Sequence, residues 1–397
     1  MVLKPGREKS LLRRHPWIFS GAVESVGGAE DGDVTDVVDH GGRFLARACV
    51  NRRSQIVGRV LTWNEAETID VAFWRRRLAH AIAARPASAQ ATRLVNAESD
   101  GLPGLVVDRY GEWLVLQSLT LGIERVKGEI ARLLLEEAAR DGRPAVRGIF
   151  ERSDVDVRHR EGLNKASGAM AGEEPPPEIE IEEPGVGGRT LRFLVDVRRG
   201  HKTGYYLDQR ENHVHVAKWC AGREVLDLFG YTGGFGVHAL AAGATRVVHV
   251  DSSVEASAMA RRNVAHNGWT AQDEDFRREN VFELLRELKS EGRRFGAVIA
   301  DPPKLAKTQV QVEKSTRAYK DLNLLAMHLL EPGGIFATFS CSGLVPTELF
   351  RKVVFGASVD ARRDVQVLER LGPPADHPVL LGLPEAEYLK GLVCRVE

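Results

Sequence analysis

The stretch Val225-Leu226-Asp227-Leu228-Phe229-Gly230-Tyr231-Thr232-Gly233-Gly234-Phe235-Gly236 decides how the C-terminal half of this chain folds. An apolar run that ends in a glycine-rich loop and then turns helical reads as a strand passing through a tight turn into a helix. Glycines at such a turn let the backbone approach a ligand closely and aim the first helical amides at it. Gly234-Phe235-Gly236-Val237-His238-Ala239 formally matches the G-x-G-x-x-G/A dinucleotide pattern, but that pattern starts at the strand end and here arrives five residues late. The strand end instead holds an acid, Asp227, which suits a ligand bearing an ammonium rather than a pyrophosphate. S-adenosylmethionine is such a ligand, and Asp227, Phe229, Gly230, Tyr231, Thr232 and Gly233 are the candidate residues to bind it.

Outward from that loop, strands and helices keep alternating. A strand at 246–250 ends in Val250-Asp251-Ser252-Ser253, and Asp251 lies eighteen positions after Gly233, a distance at which an acid is placed to take two ribose hydroxyls. Beyond it the pattern predicts a helix at 255–267, a strand at 297–300, a helix at 318–330, a strand at 335–340 and a helix at 347–355. This alternation implies βαβ units and a parallel sheet covered on both faces, with ligands at the carboxyl ends of its strands. Three further strand ends carry chemistry. Arg278-Glu279-Asn280-Val281-Phe282 offers Asn280 or Glu279 to an adenine edge. In Ile299-Ala300-Asp301-Pro302-Pro303-Lys304, two prolines make a stiff wall without amide hydrogens while Asp301 faces inward. Phe339-Ser340-Cys341-Ser342-Gly343 carries a thiol out of a buried strand into a turn, which makes Cys341 the candidate nucleophile. The plainer readings are a ligand-free turn at 227–236, a loop stop at 301–304 and a small core cysteine at 341.

At 397 residues the chain exceeds one ordinary domain of about 150 residues. Residues 2–62 read as short β runs punctuated by glycines, an all-β module, followed by a helical pattern near 70–89. Residues 93–163 read as a small α+β module. The stretch 164–188 combines Pro175-Pro176-Pro177 with six glutamates between Glu173 and Glu183; its start reads as a mobile loop, and Glu178-Ile179-Glu180-Ile181-Glu182 as an exposed strand. Hydrophobic residues at 43% and charged residues at 28% fit a globular chain, and exclude collagen, coiled coil and wholesale disorder. Lys plus Arg equals Asp plus Glu at 55 each, so nucleic-acid binding must come from local patches, and residues 1–93, with 15 basic against 10 acidic residues, form the basic end. The cysteines Cys49, Cys220, Cys341 and Cys394 lie far apart without a C-x-x-C, and the histidines show no ligand spacing, so no metal is expected. Without a signal-peptide core or an apolar window of about 18 residues, the expected location is the cytoplasm, with no membrane partner.

Taken together, these motifs resemble the bacterial 23S ribosomal RNA cytosine-5 methyltransferases built from a PUA domain, an EEHEAD domain and a Rossmann-like class I methyltransferase domain. The likeness runs through Lys4-Pro5-Gly6-Arg7 and His15-Pro16-Trp17-Ile18-Phe19-Ser20-Gly21-Ala22, then Ser99-Asp100-Gly101-Leu102-Pro103-Gly104-Leu105 with Val107-Asp108-Arg109-Tyr110. It continues through Gly200-His201-Lys202-Thr203-Gly204-Tyr205-Tyr206-Leu207-Asp208-Gln209-Arg210, the strand ends above, Tyr319-Lys320-Asp321-Leu322-Asn323 and Tyr388-Leu389-Lys390-Gly391. The resemblance implies an α/β fold with three modules: a PUA-like barrel over 1–72, an EEHEAD-like module over 73–188 with an acidic proline-rich insertion near 164–184, and a methyltransferase domain over 189–397. It adds Tyr206, Asp208 and Gln209 to the cofactor residues, beside Asp251, Ser252, Asn280 and Asp301. Two departures stand out: Asn280-Val281-Phe282 replaces the usual Asp-Val-Phe, and the acidic stretch is longer than the family requires.

The activity so implied is methylation of carbon 5 of a cytosine in 23S ribosomal RNA, free or in an assembling particle. Carbon 5 is too poor a nucleophile to attack a sulfonium directly, so Cys341 would add to carbon 6 while Asp301 donates toward ring N3. The second cysteine many relatives carry beside the proline of the fourth motif is replaced here by Pro302-Pro303. Lys304, Lys320 or Lys390 would favour the thiolate. Arg13, Arg14, Arg198, Arg199, His201, Lys202, Lys304 and Lys390 are the candidate RNA contacts, and a homodimer is compatible with the sequence. The rival readings are methylation of a base nitrogen without covalent catalysis, a non-catalytic RNA-binding assembly factor, and a nicotinamide-dependent oxidoreductase.

Overall fold

The structure, a computed structural model, describes every residue except 141 and 307. The chain forms two compact units. The first comprises Met1–Ile181, Val195–Leu207 and Ala375–Pro384; the second comprises Glu182–Leu194, Asp208–Pro374 and Glu385–Glu397.

In the first unit the short β runs pair as expected into a six-stranded sheet, with Trp17–Phe19, Phe44–Val50 and Ile56–Thr62 among its strands. Alternation along these strands sends Ile18, Ala46, Ala48, Val50 and Val60 into a small core. A five-stranded sheet follows, built from Ala91–Asn96, Leu105–Tyr110, Trp113–Ser118, Gly148–Ser153 and Ala166–Gly172. Its helices, Val71–Ala83 and Leu121–Glu137, bury Phe73, Leu78, Ile82, Ile130 and Leu134 against Leu94, Leu105, Leu114 and Leu116. Asp70 starts the first of these helices by accepting the amide of Phe73 at 2.8 Å, so the helix spans the expected junction at 72 and 73.

The expectation of a loop at the start of 164–188 is overturned. Ala166–Gly172 is a strand that pairs antiparallel with Gly148–Ser153. Ile179–Pro184 is a strand as well, with Ile179, Ile181 and Glu183 buried, so it is not simply exposed. The glutamates that suggested disorder occupy its outward positions at Glu180 and Glu182, while the isoleucines supply the buried face.

The second unit holds a seven-stranded sheet whose strands are labelled here in chain order: β1 (Glu224–Leu228), β2 (Arg246–Val250), β3 (Phe276–Arg277), β4 (Phe295–Ala300), β5 (Leu330–Ser340), β6 (Val365–Leu371) and β7 (Lys390–Val396). Their spatial order is β3-β2-β1-β4-β5-β7-β6. Pairings among β1 to β5 are parallel, and β7 runs antiparallel to both β5 and β6. The helices are α1 (Arg210–Ala217), α2 (Gly234–Ala241), α3 (Val254–His266), α4 (Val281–Ser290), α5 (Val312–His328) and α6 (Thr347–Ala361). Nearly continuous apolar strands such as Phe295–Ala300, buried along their whole length, are what a parallel sheet covered on both faces demands. The order reverses between β1 and β4, which opens a crevice at their carboxyl ends. Among the described residues no helix is long and apolar enough to cross a membrane.

Candidate active site

At the end of β1 the backbone leaves ordinary conformational space. Phe229 and Tyr231 have φ of 61° and 47°, left-handed values that cost a residue with a Cβ about 1–3 kcal/mol each. Between them, a Cβ on Gly230 would lie 2.4 Å from the His249 ring and 2.8 Å from Asp227 Oδ2, so only glycine fits. Surrounding hydrogen bonds hold the strained loop. Gly230 N donates to the Val250 carbonyl (3.1 Å), Gly233 N to the Gly230 carbonyl (2.8 Å), and Asn263 Nδ2 to the Thr232 carbonyl (2.9 Å). Asp251 joins in from the end of β2: its carboxylate accepts the amides of Tyr231 (3.0 Å) and Ser253 (2.9 Å). Ser253 in turn caps α3 by accepting from Ala256 N.

Beneath the loop lies a pair the sequence reading half missed. Asp227 on β1 and His249 on β2 are cross-strand partners, both buried, with His249 Nδ1 3.7 Å from Asp227 Oδ2. Neither Asp227 oxygen has a hydrogen bond, nor does His249 Nε2. Buried polar groups are normally satisfied, so an orphaned carboxylate under a ligand loop marks a place where a cationic group completes the structure. The residues therefore fit an ammonium-bearing ligand. His249 was legible only as a polar interruption in the apolar run Arg246-Val247-Val248-His249-Val250.

The fourth and fifth strand ends converge. Gln209 Nε2 donates to Asp301 Oδ2 at 2.9 Å, and Asn212 Nδ2 holds the Gln209 amide oxygen at 2.7 Å, which fixes the Asp301 carboxyl. Tyr388 donates to Asp208 Oδ2 at 2.8 Å. Cys341, half-buried just beyond β5, places its sulfur 3.8 Å from the Pro302 carbonyl. Burial pushes the Cys49, Cys220 and Cys394 thiols up to about 12, so these three stay protonated near neutrality. The Cys341 turn is framed by a buried network: Ser340 donates to Tyr319 Oη (3.0 Å), Tyr319 and Ser342 share a hydrogen bond (3.1 Å), and Lys390 Nζ donates to the carbonyls of Ser342 (2.9 Å) and Val345 (2.7 Å).

Several expectations change at this level. Lys390, expected to meet RNA, is 3% exposed and buttresses the Cys341 turn instead, because it opens the buried strand β7. Burial lowers its ammonium to about 8, against the opposing pull of Cys341. Lys320 pairs with Asp360 (2.7 Å) on α6. Asn280 is the cap of α4: its side-chain oxygen accepts from Phe282 N (2.9 Å), so only its amide hydrogens are left for a base edge. Ser252 is exposed beside Asp251, and Lys304 is exposed beyond Pro303.

Tyr206 falls in the first unit, where its ring lies 4.4 Å from Lys202 Nζ and its hydroxyl 3.1 Å from His201 Nδ1. Arg198 donates to the Pro175 carbonyl (2.9 Å) and pairs with Glu174 (3.2 Å). Arg13, Arg14 and Arg199 are exposed, and Arg14 lies over the Trp63 ring.

The absence of ligand spacing among histidines does not survive folding either. Glu183, His213 and His238, from three separate elements, come together in the second unit. Burial lowers His238 to about 4.

A doubly wound sheet with a strained glycine loop over an unmet carboxylate, and an acid and a thiol at the neighbouring strand ends, defines a transferase built around a nucleoside-bearing cofactor. The chain belongs to the S-adenosylmethionine-dependent methyltransferase family, whose family model matches residues 134–395, and residues 1–63 match a PUA-like domain. It is 46% identical over 405 residues to the "Ribosomal RNA large subunit methyltransferase I" of Cronobacter sakazakii, covering 100% of this chain and 99% of that protein. The protein of the same name from Erwinia tasmaniensis is 46% identical over 402 residues, with the same coverage. Among solved structures, a methyltransferase complexed with S-adenosylhomocysteine superimposes with a TM-score of 0.85 at 20% identity, covering 100% of this chain and 99% of that one. A Streptococcus mutans structure gives 0.83 at 20% identity and the same coverage. At that identity the likeness concerns the fold alone.

Proposed function

We propose that this enzyme methylates carbon 5 of a cytosine in 23S ribosomal RNA, with Cys341 as a transient covalent nucleophile, in the cytoplasm. What supports the reading is the position of the Cys341 sulfur, half-buried next to the Pro302 carbonyl at the Asp301 strand end, whereas burial pushes the three other thiols, which lie elsewhere, up to about 12. The names of the full-length relatives from Cronobacter and Erwinia support the substrate class. Bound S-adenosylmethionine supplies an electrophilic methyl group; Asp227 and the loop 229–233 would hold it, with Asp251 toward its ribose and Asn280 toward its base.

The chain's own residues prepare the cytosine. The Cys341 thiolate forms a bond to carbon 6, and Asp301, oriented by Gln209, places a proton at ring N3, which turns carbon 5 into an enamine carbon able to take the methyl group. With the methyl group on carbon 5 and S-adenosylhomocysteine as the leaving group, loss of the carbon 5 proton to a base and return of the N3 proton to Asp301 would break the S–C6 bond and give back the thiolate. Lys390 and Tyr319 set the Cys341 turn without touching substrate. The target base must be unpaired or flipped, and the exposed cations Arg13, Arg14, Arg199 and Lys304, with the half-buried Lys202, are the remaining candidates to grip the strand, in a salt-dependent way.

RNA containing 5-fluorocytidine tests the covalent step, because fluorine leaves no carbon 5 proton to lose. The wild type is expected to form a denaturant-stable RNA complex and Cys341→Ala none. Undiminished methyl transfer by Cys341→Ala would instead favour methylation of a base nitrogen.

A further inference from the structure

Glu183, on the strand Ile179–Pro184, His213 on α1 and His238 on α2 are each at most 3% exposed. His213 Nδ1 lies 3.2 Å and His238 Nε2 3.6 Å from the same oxygen, Glu183 Oε2, and the three candidate ligand atoms all lie within 4.8 Å of one another. We infer that this triad is a site for one divalent transition-metal ion of the zinc class, separate from the catalytic crevice and bracing the helix that follows the cofactor loop.

Four observations converge on it. His238 Nδ1 lies 2.8 Å from the Gly234 carbonyl, which can only accept, so Nδ1 bears the hydrogen and Nε2 presents its lone pair to the cluster. That Nε2 is buried and has no hydrogen-bond partner, and Glu183 Oε2 lies 3.6 Å from it, an arrangement that a cation between them would complete. Two imidazoles and one carboxylate suit zinc, cobalt or nickel. Bonds of about 2.0–2.2 Å in a tetrahedral set place ligand atoms roughly 3.3–3.6 Å apart, close to the 3.2 and 3.6 Å that separate the two imidazole nitrogens from Glu183 Oε2. The Gly234 carbonyl behind His238 is the kind of outer partner that orients a metal-bound imidazole. Phe193 stacks on His238 with ring centroids 5.5 Å apart, and Phe235 meets His213 edge-on at 4.6 Å, so the rings are already held in place.

An ion here would link the strand, α1 and α2 within one unit. Gly234 opens α2 immediately after the strained loop, so the ion's structural effect falls on the backbone that receives the cofactor. Binding would displace any proton on His213 Nδ1, since a metal ligand must present a free lone pair.

The test uses the full-length chain, stripped with a chelator, dialysed, and titrated with zinc against a chromophoric competitor. The expected result is one ion per chain, with affinity lowered at least about 100-fold in Glu183→Gln and in His238→Asn, and unchanged in Cys341→Ser. Zinc should raise the melting temperature of the wild type and leave that of the two ligand variants where it was. Cobalt loaded into the wild type alone decides the matter should those variants fold poorly: visible bands of a four-coordinate nitrogen and oxygen site are expected. Thiolate-to-cobalt charge transfer, or zinc binding no tighter than in the variants, overturns the inference.

Discussion

Replacing Asp227 by asparagine should make the protein more stable and worse at its work. The Asp227 carboxylate is 1% exposed, neither oxygen has a hydrogen bond, and the His249 ring nitrogen Nδ1 lies 3.7 Å from Oδ2. Asparagine keeps the shape, removes the unmet charge, and can turn its amide hydrogens toward His249. Relief of an uncompensated buried charge is worth several kcal/mol, and the amide's own imperfect satisfaction reduces the gain to about 1–3 kcal/mol. At about 2–4 °C per kcal/mol for a unit of this size, the melting temperature of the cofactor-free protein should rise by roughly 2–12 °C.

Binding should move the other way. A hydrogen bond to a charged group contributes about 1.5–3 kcal/mol, so Kd for S-adenosylmethionine should rise roughly 10- to 150-fold. Scanning calorimetry without ligand and titration calorimetry with it supply the two readings. A fall in melting temperature together with an affinity within about threefold of wild type would refute the reasoning. That outcome would mean that Asp227 is a structural partner of a protonated His249 and does not face the cofactor's ammonium.

Other perturbations have separate readouts. Cys341→Ala should cut methyl transfer at least about 1,000-fold while leaving cofactor affinity intact, as measured by label transfer and by calorimetry. Gly230→Ala, whose Cβ would meet the His249 ring at 2.4 Å and Asp227 Oδ2 at 2.8 Å, should destabilise the protein by about 1–3 kcal/mol in denaturant melts. Glu124 titrates at about 2: burial opposes its charge, but hydrogen bonds from Arg158 (2.9 Å), Lys127 and Ser118 (2.7 Å) outweigh that. Its folded value lies below its unfolded one, so its contribution is full above about pH 4.5 and is lost as pH falls toward 2. The Glu124 side chain keeps 22% of its surface in solvent, whose screening holds the contribution to about 1–2 kcal/mol, and urea melts of Glu124→Gln should differ from wild type by that amount at pH 7 and converge with it near pH 2.

The strands of the parallel sheet were legible because burial on both faces writes them as unbroken apolar runs; 246–250 and 297–300 needed no tertiary information. The last two strands were not. Val365–Leu371 lies at the sheet edge, with a half-exposed pattern that reads equally well as loop, and Lys390–Val396 opens with a lysine and a glycine that disguise a buried strand. Helix α4 is hard to read for another reason: Asn280 is at once a plausible base contact and the cap of a helix, and the cap signal rests on an asparagine three residues before Glu283, followed by Leu284, Leu285 and Leu288. The candidate residues that came from strand ends, Asp227, Asp301 and Cys341, lie in one unit as read. Those read from charge alone fared differently, since a lysine in sequence does not say whether its ammonium points to solvent or, as Lys390 does, to two carbonyls.

Rules of local structure are broken in this protein at one loop more than elsewhere, and that concentration is itself an argument about function. Of the six residues with a side chain at positive φ among the described residues, two are Phe229 and Tyr231, and the carboxylate lying under them has no hydrogen-bond partner. Packing alone would have favoured glycines or a relaxed turn at 229 and 231, and an apolar residue at 227. Each departure is locally unfavourable, and neighbouring bonds from Val250, Asp251 and Asn263 keep it in place. A binding loop already held in its working shape loses less freedom when the ligand arrives, and a carboxylate already stripped of water meets an ammonium more strongly than one at the surface. The same physics separates the two classes of cysteine. In Cys49, Cys220 and Cys394 burial holds the thiol protonated near neutrality, and each packs against an apolar cluster. Cys341 sits just beyond the end of a strand of the parallel sheet, with its turn fixed by Lys390 and Tyr319, which is the setting the proposed nucleophile needs: a sulfur held at a defined position.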